Sequence, residues 1–169
     1  EIDRLSDAIL LSFYPGPTGG EAIAKILLGE LEPAGRLSVS LPDDGKRLPV
    51  YYNHFRTGRP YQNKVWYESK YMDLDPTPAY PFGYGLSYTR FRYDNLSLSA
   101  ETIRAGEPLE VSFDVTNIGD REGTDVPQVY IRDCFSSTVK PVRELAAFTR
   151  VTLQPGETRR VTVTVSPRR

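Results

Sequence analysis

The chain has 169 residues, 39% of them hydrophobic and 25% charged, which allows one good core or two small ones and argues against disorder over most of its length. Its 21 Lys and Arg are balanced by 22 Asp and Glu, for a formal net charge of -1, so it carries no electrostatic footprint for nucleic acid or an anionic membrane, and neutral partners such as sugars fit better. One cysteine, Cys134, excludes an internal disulfide, and no run approaches the roughly 18 apolar residues of a membrane span.

Fourteen Pro, thirteen Gly and eleven Tyr favour loops, turns and short strands. Cys134 follows Asp133 with no histidine nearby, and reads as a small, partly buried apolar residue. The opening Glu1-Ile2-Asp3, without Met, reads as a chain cut from a longer one, so the lack of a signal peptide says little about export.

In chain order, Asp7–Tyr14 (DAILLSFY) is an apolar run of strand length, stopped by Pro15-Gly16-Pro17. Glu21–Leu31 (EAIAKILLGEL) repeats Ala22, Ile23, Ile26, Leu27 and Glu30 at helical spacing. Thr18 is placed to cap this helix with Glu21 as capping-box partner, and Pro33-Ala34-Gly35 to end it. A lone strand, turn and helix has nothing to pack against, so an upstream sheet is implied, and alone the unit should expose an apolar face.

From Arg36 to Pro81 the signal is irregular: a short alternation at Leu37, Val39 and Leu41, then a stretch rich in Tyr, Pro, Asn and Gly. Loops this long are uncommon unless functional or wrapped over a neighbour. This one reads as an ordered connector draped over something outside the chain.

After Gly85 come short alternating segments, Phe91–Leu98, Leu109–Val115, Val126–Ile131, Phe148–Leu153 and Arg160–Val165. Turn signals separate them at Asn117-Ile118-Gly119-Asp120, Glu122-Gly123 and Gln154-Pro155-Gly156-Glu157. This is the spacing of an antiparallel β-sandwich. Five strands are expected where immunoglobulin-like or fibronectin type III sandwiches usually have about seven, so Ser166-Pro167-Arg168-Arg169 reads as an early stop and the sandwich as truncated.

Three blocks of residues then carry a family resemblance. Tyr14-Pro15-Gly16, Gly19-Gly20, Ala22-Ile23-Ala24, Gly29, Pro33 and Gly35-Arg36-Leu37 form the first. Tyr80-Pro81-Phe82-Gly83-Tyr84-Gly85-Leu86-Ser87-Tyr88-Thr89, with Phe91 and Tyr93, form the second. The third runs through Val115-Thr116-Asn117, Gly119, Gly123, Val126, Gln128-Val129-Tyr130, Pro141-Val142, Glu144-Leu145, Phe148, Leu153 and Pro155-Gly156-Glu157. In order and spacing they resemble the C-terminal part of glycoside hydrolase family 3 enzymes of the β-glucosidase and β-xylosidase kind. The connector at Leu48–His54 and Thr57–Tyr61 is most similar to bacterial periplasmic β-glucosidases. Phe13 stands where many members have Trp, Ser38 where Pro is usual, and Ala146-Ala147 where Lys-Gly is common.

The resemblance implies a mixed fold: a short α/β remnant, 1–43, closing the family's α/β sandwich domain; a connector, 44–85; and an antiparallel immunoglobulin-like (fibronectin type III-like) β-sandwich, 86–169. It implies a retaining glycosidase as parent, which needs two carboxyl groups about 5–5.5 Å apart. It also places both outside this chain, the nucleophilic Asp in an N-terminal barrel and the acid/base Glu upstream of Asp7–Tyr14. No catalytic residue is therefore expected here. Ser6-Asp7 looks like the pair that carries the nucleophile, but aligns with the start of the last strand of the α/β domain.

The remaining candidates read as structural. Glu21, Glu30 and Glu32 are a solvated helix face or a cap. Gly16, Gly19 and Gly20 are turn residues, since no Lys-Ser or Lys-Thr follows them as in a phosphate loop. Gly83 and Gly85 answer to backbone conformation and close packing between domains. His54, the only histidine, has no nucleophile elbow to serve, and one His with one Cys makes no zinc site. It reads as a hydrogen-bonded loop side chain, with a rim contact to sugar hydroxyls as the alternative. No metal and no cofactor are expected.

The connector aromatics Tyr51, Tyr52, Tyr61, Trp66, Tyr67 and Tyr71 offer faces that stack on pyranose rings, and Asn53, Arg56, Arg59, Gln62 and Asn63 can bond hydroxyls. Such residues also fill interdomain seams, the reading preferred here. If any part of the chain touches substrate, Arg59, Tyr61 and Trp66 at a plus subsite are the candidates. Arg121, Arg132 and Arg143 read as solvated charges.

The expected function is an accessory C-terminal segment of a β-glucosidase-like enzyme acting on β-linked gluco-oligosaccharides, with glucose favoured over xylose and the parent periplasmic or secreted. Its expected partners are the N-terminal barrel and α/β sandwich domains, with β-linked oligosaccharides second, and neither nucleic acid nor membrane. The alternatives are an independent carbohydrate-binding module and a structural or adhesion sandwich. The last is disfavoured because it needs no Asp7–Arg36 unit.

Overall fold

The computed structural model describes residues 2–43, 45, 48–62, 64–70 and 76–166. They fall into two compact units, Glu1–Pro33 and Ala34–Arg169.

The first unit holds two helices, α1 (Ile2–Leu5) and α2 (Gly19–Leu27). The expected strand over Asp7–Tyr14 does not form. Phe13 has φ 49, in the left-handed region that a strand excludes, and a strand without a ladder partner leaves its N–H and C=O groups unsatisfied. Ile9, Leu11 and Phe13 are exposed and Tyr14 fully so, as are Leu27 and Leu28 of the helix end, which is the bare apolar surface expected of a unit that lacks its sheet.

Helix α2 starts two residues before its expected span and ends four before it. Thr18 holds the N-cap position but makes no side-chain cap bond, and Glu21 pairs with Lys25 one turn on instead of closing a capping box. The helix is stopped by Gly29, at φ 76, rather than by Pro33. Gly29 N–H donates to Ile26 O at 2.9 Å and Glu30 N–H to Lys25 O at 2.8 Å. These paired bonds are the Schellman arrangement, which needs a left-handed residue that only glycine adopts without strain.

The second unit is the sandwich, with seven strands among the described residues where five were expected. They are β1 (Phe91–Leu98), β2 (Leu109–Asn117), β3 (Gly123–Asp125), β4 (Gln128–Ile131), β5 (Glu144–Phe148), β6 (Val151–Leu153) and β7 (Thr158–Val165). All pairings are antiparallel: a three-stranded sheet in the order β1-β2-β7, and two two-stranded sheets, β3-β6 and β4-β5.

The strand count differs from expectation because the chain changes partner twice. Glu122-Gly123 was expected as a turn, yet Gly123–Asp125 pairs with β6; Pro127 has no N–H to give a ladder, and across it the chain leaves β6 for β5. Phe148–Leu153 spans the return: Thr149 N–H turns to Pro127 O at 3.2 Å, and β6 begins after it.

The core follows from period-2 alternation. Val111, Phe113 and Val115 of β2 and Val161, Val163 and Val165 of β7 are buried together with Val151 and Leu153 of β6. Register places Val111 beside Val163 and Phe113 beside Val161. Val129, Ala146 and Ala147 complete the layer. Each such buried side chain contributes about 1.5–3 kcal/mol. Outward positions carry cross-strand hydroxyl pairs, Ser112–Thr162 at 2.8 Å and Thr124–Thr152 at 2.9 Å.

One buried polar residue ties the loops at one end together. Asn117 is fully buried. Its Oδ1 accepts from Thr89 Oγ1 at 2.7 Å and from Gly119 N–H at 3.0 Å, while its Nδ2 donates to Arg121 O at 2.8 Å and Leu153 O at 3.0 Å. All four of its bonding positions are thus used. A Cβ at Gly119 would collide with Thr89 Oγ1, so a larger residue there displaces the hydroxyl that Asn117 accepts from.

The connector is less detached than expected. Residues 34–43 pair with 80–86: Leu37 N–H donates to Tyr84 O at 2.8 Å, Gly83 N–H to Leu37 O at 2.7 Å, and Leu41 bridges Tyr80. Tyr52 stacks on Phe82 with centroids 4.0 Å apart and meets Tyr130 edge-on. Val142 N–H donates to His54 O at 2.9 Å. The surface that this part of the connector covers is therefore the sandwich itself.

Candidate functional site

The segment from Arg59 to Lys70 brings the three candidate sugar contacts into one loop. Glu68 organises it: its carboxylate accepts from the backbone N–H of Gln62 at 2.9 Å, Lys64 at 3.0 Å and Val65 at 3.2 Å. Ser69 N–H donates to Arg59 O at 2.8 Å and closes the base. A carboxylate is acceptor-only with about four lone-pair positions, so it gathers several N–H groups that a short loop leaves unpaired.

On this frame the Arg59 guanidinium lies 5.3 Å from the Tyr67 ring centroid, within cation–π range. Trp66 meets Tyr67 edge to face, centroids 5.6 Å apart and planes at 85°. Trp66 is 86% exposed and Tyr67 49%. Tyr61 is half-buried, with Lys70 Nζ 5.8 Å from its ring centroid. The loop thus offers exposed aromatic faces flanked by two cationic donors, which can stack on an uncharged ring and bond its hydroxyls.

The other connector candidates sort differently. Tyr52 is committed to Phe82 and Tyr130, and its hydroxyl accepts from Leu145 N–H at 3.4 Å. Arg56 donates to Cys134 O at 3.5 Å. The His54 ring meets Phe55 O at 3.1 Å, a loop hydrogen bond as expected. Asn63 and Tyr71 lie outside the described residues. Cys134 is exposed, not partly buried, because it sits in the 132–140 loop beyond β4. Arg121 and Arg143 are not simply solvated: they lie over Tyr88 at 5.2 Å and Tyr130 at 5.8 Å. Among the described residues, no three His, Cys, Asp or Glu gather as a metal site.

A second constellation is buried. Asp125 is 4% exposed. Its Oδ1 accepts from the Arg36 guanidinium and from Val126 N–H, and its Oδ2 from the Tyr93 hydroxyl. Burial, then the bond to Asp125, holds the Tyr93 phenol far above its ordinary range. Beside it, Gln128 Nε2 donates to Gly83 O at 3.0 Å and Tyr130 Oη to Gln128 Oε1 at 2.5 Å. Gly83 sits at φ 81, and a Cβ at Gly85 would lie 2.6 Å from Gly35 O. Every polar group here is taken up by a neighbour.

Residues 2–88 match the glycosyl hydrolase family 3 C-terminal domain, and residues 125–169 the fibronectin type III-like domain. The chain belongs to glycosyl hydrolase family 3. It is 44% identical over 163 residues to a periplasmic β-glucosidase of Salmonella typhimurium, covering 94% of this chain and 21% of that protein. It is 32% identical over 166 residues to a putative β-xylosidase of Formosa agariphila, covering 98% and 21%. The crystal structure of a β-glucosidase from Listeria innocua in complex with glucose superposes with a TM-score of 0.90 at 41% identity, over 98% of this chain and 23% of that one.

The family 3 chain therefore spans about a fifth of the length of the curated relatives it matches, and belongs with the other domains of a larger protein. The blocks that carried the resemblance meet in its second unit. Arg36 reaches Asp125, Gly83 reaches Gln128, Gly85 approaches Gly35, and Thr89 reaches Asn117.

Proposed function

We propose that this chain is the accessory C-terminal segment of a retaining β-glucosidase-like hydrolase acting on β-linked gluco-oligosaccharides. In this reading 1–43 closes the α/β sandwich domain, 44–85 connects, and 86–169 braces the catalytic domains without taking part in bond cleavage. The observation that carries it is the match of 94% of the chain to 21% of a periplasmic β-glucosidase. The engagement of Asp125 with Arg36 and Tyr93 supports it, since that buried carboxylate is held in a structural role. The same likeness supports a parent that works in the periplasm or outside the cell.

A chromogenic aryl β-glucoside assay on the 169-residue chain tests this. No turnover is expected, and turnover that copurifies with the chain overturns the reading.

Exposed Trp66 against Tyr67, whose ring Arg59 also meets, favours a second role, contact with the sugar at a plus subsite through Arg59, Tyr61 and Trp66. Titration with cello-oligosaccharides, xylo-oligosaccharides and laminarin checks it: saturable binding that Trp66→Ala abolishes supports this role, and a flat titration removes it.

A further inference from the structure

We infer that Glu68 is the positioning residue of the Arg59–Lys70 loop, a carboxylate that touches no sugar but holds Trp66 and Arg59 in a binding-ready arrangement. The inference rests on the reading that Arg59, Tyr61 and Trp66 meet substrate.

Glu68 follows Trp66 and Tyr67 directly, and its oxygens collect the N–H groups of Gln62, Lys64 and Val65 at 2.9, 3.0 and 3.2 Å. The N–H groups of Gln62, Lys64 and Val65 thereby converge on one negative charge close to the exposed indole. Bonds from N–H to an ionised carboxylate are about twice as strong as neutral ones. The Ser69 N–H to Arg59 O bond then sets Arg59 across from Tyr67, and Tyr67 supports the Trp66 edge. Trp66 is otherwise 86% exposed, so little else in its surroundings restrains it. An aromatic platform fixed before the ligand arrives loses less conformational entropy on binding. Without the carboxylate, the three N–H groups turn to water and the indole samples many orientations.

Trp66 is the single tryptophan of the chain, so its fluorescence reports on this loop alone. The experiment compares wild type, Glu68→Ala and Glu68→Gln by Trp66 anisotropy, by titration with cellobiose and laminaribiose, and by thermal unfolding. Glu68→Ala is expected to lower the anisotropy and weaken the sugar response about tenfold through lost preorganisation, with Tm unchanged. Glu68→Gln retains an acceptor oxygen without the charge and falls between. A normal wild-type titration with unchanged anisotropy and affinity in Glu68→Ala overturns the role of Glu68 alone. A flat wild-type titration overturns the substrate reading beneath it.

Discussion

Thr89 Oγ1 donates to Asn117 Oδ1 at 2.7 Å, joining the segment that leads into β1 to the end of β2 inside the protein. Both residues are buried, and Asn117 has no contact with solvent. Asn117→Ala removes four hydrogen bonds at once, those with Thr89, Gly119, Arg121 and Leu153. A typical buried hydrogen bond contributes about 0.5–1.5 kcal/mol net, so a destabilisation of about 3 kcal/mol or more is expected. Urea unfolding measures it, and a change within error of zero contradicts the assignment. Asn117→Asp is expected to be as damaging, because it keeps the shape and sets a buried charge against the Arg121 and Leu153 carbonyls.

The Arg36–Asp125 pair gives a prediction with an internal control. Their side chains are 14% and 6% exposed, so removing one partner strands the other. Asp125→Leu is expected to cost about 3–5 kcal/mol, and adding Arg36→Met to recover part of that loss, the Tyr93 hydroxyl and Val126 N–H remaining without their acceptor. A double-mutant cycle in urea shows whether the coupling is of this size.

Acid stability depends in part on two partly exposed carboxylates. The Asn95 amide and then Arg160 hold Asp114 below its ordinary 3.8, and the Gln154 N–H and then Arg159 hold Glu157 below 4.5. Since the folded values are the lower ones, their contribution is present above those ordinary values and disappears as pH falls through the folded values. Asp114→Asn with Glu157→Gln is expected to flatten the acid limb of the stability curve. Because both sites face water, the effect shrinks in high salt. Urea midpoints across the acid range, at two salt concentrations, check both statements.

Gly85→Ala tests the close approach of two chain segments. Its Cβ would lie 2.6 Å from the backbone oxygen of Gly35, which cannot swing aside as a side-chain end does. Forced separation costs about 1–3 kcal/mol. The same substitution at Gly58, where nothing lies within 4 Å, is expected to be near neutral in thermal unfolding.

Much of the sandwich was legible because β2 and β7 alternate cleanly and face one core. The signal failed where a partner changes without a change in texture, at Pro127 and at Thr149, since periodicity records which face is buried and not which strand is adjacent. It failed differently at Asp7–Tyr14, where an apolar run specifies burial that this unit does not supply. At Gly29 the stop was visible in the sequence, but Pro33 was the louder signal. Arg59, Tyr61 and Trp66 were picked out as candidates by side-chain chemistry alone, which a sequence displays directly. Glu68 went unremarked because a single Glu after Trp-Tyr is indistinguishable in sequence from a solvated charge, and its three backbone donors are visible only in the structure.

The Arg36–Asp125 contact spans 89 positions, and with the pairing of 34–43 to 80–86 it fastens both flanks of the connector to one body. A protease cutting between Tyr51 and Lys70 would sever the covalent chain while these contacts persist. The two pieces should therefore elute together under native conditions and separate only in denaturant. The same geometry orders events during folding: a link of that span cannot nucleate the fold, because closing so long a loop is costly before neighbouring contacts exist. The hairpin-like pairings of the sandwich must come first, and residues 34–43 dock onto a surface already made.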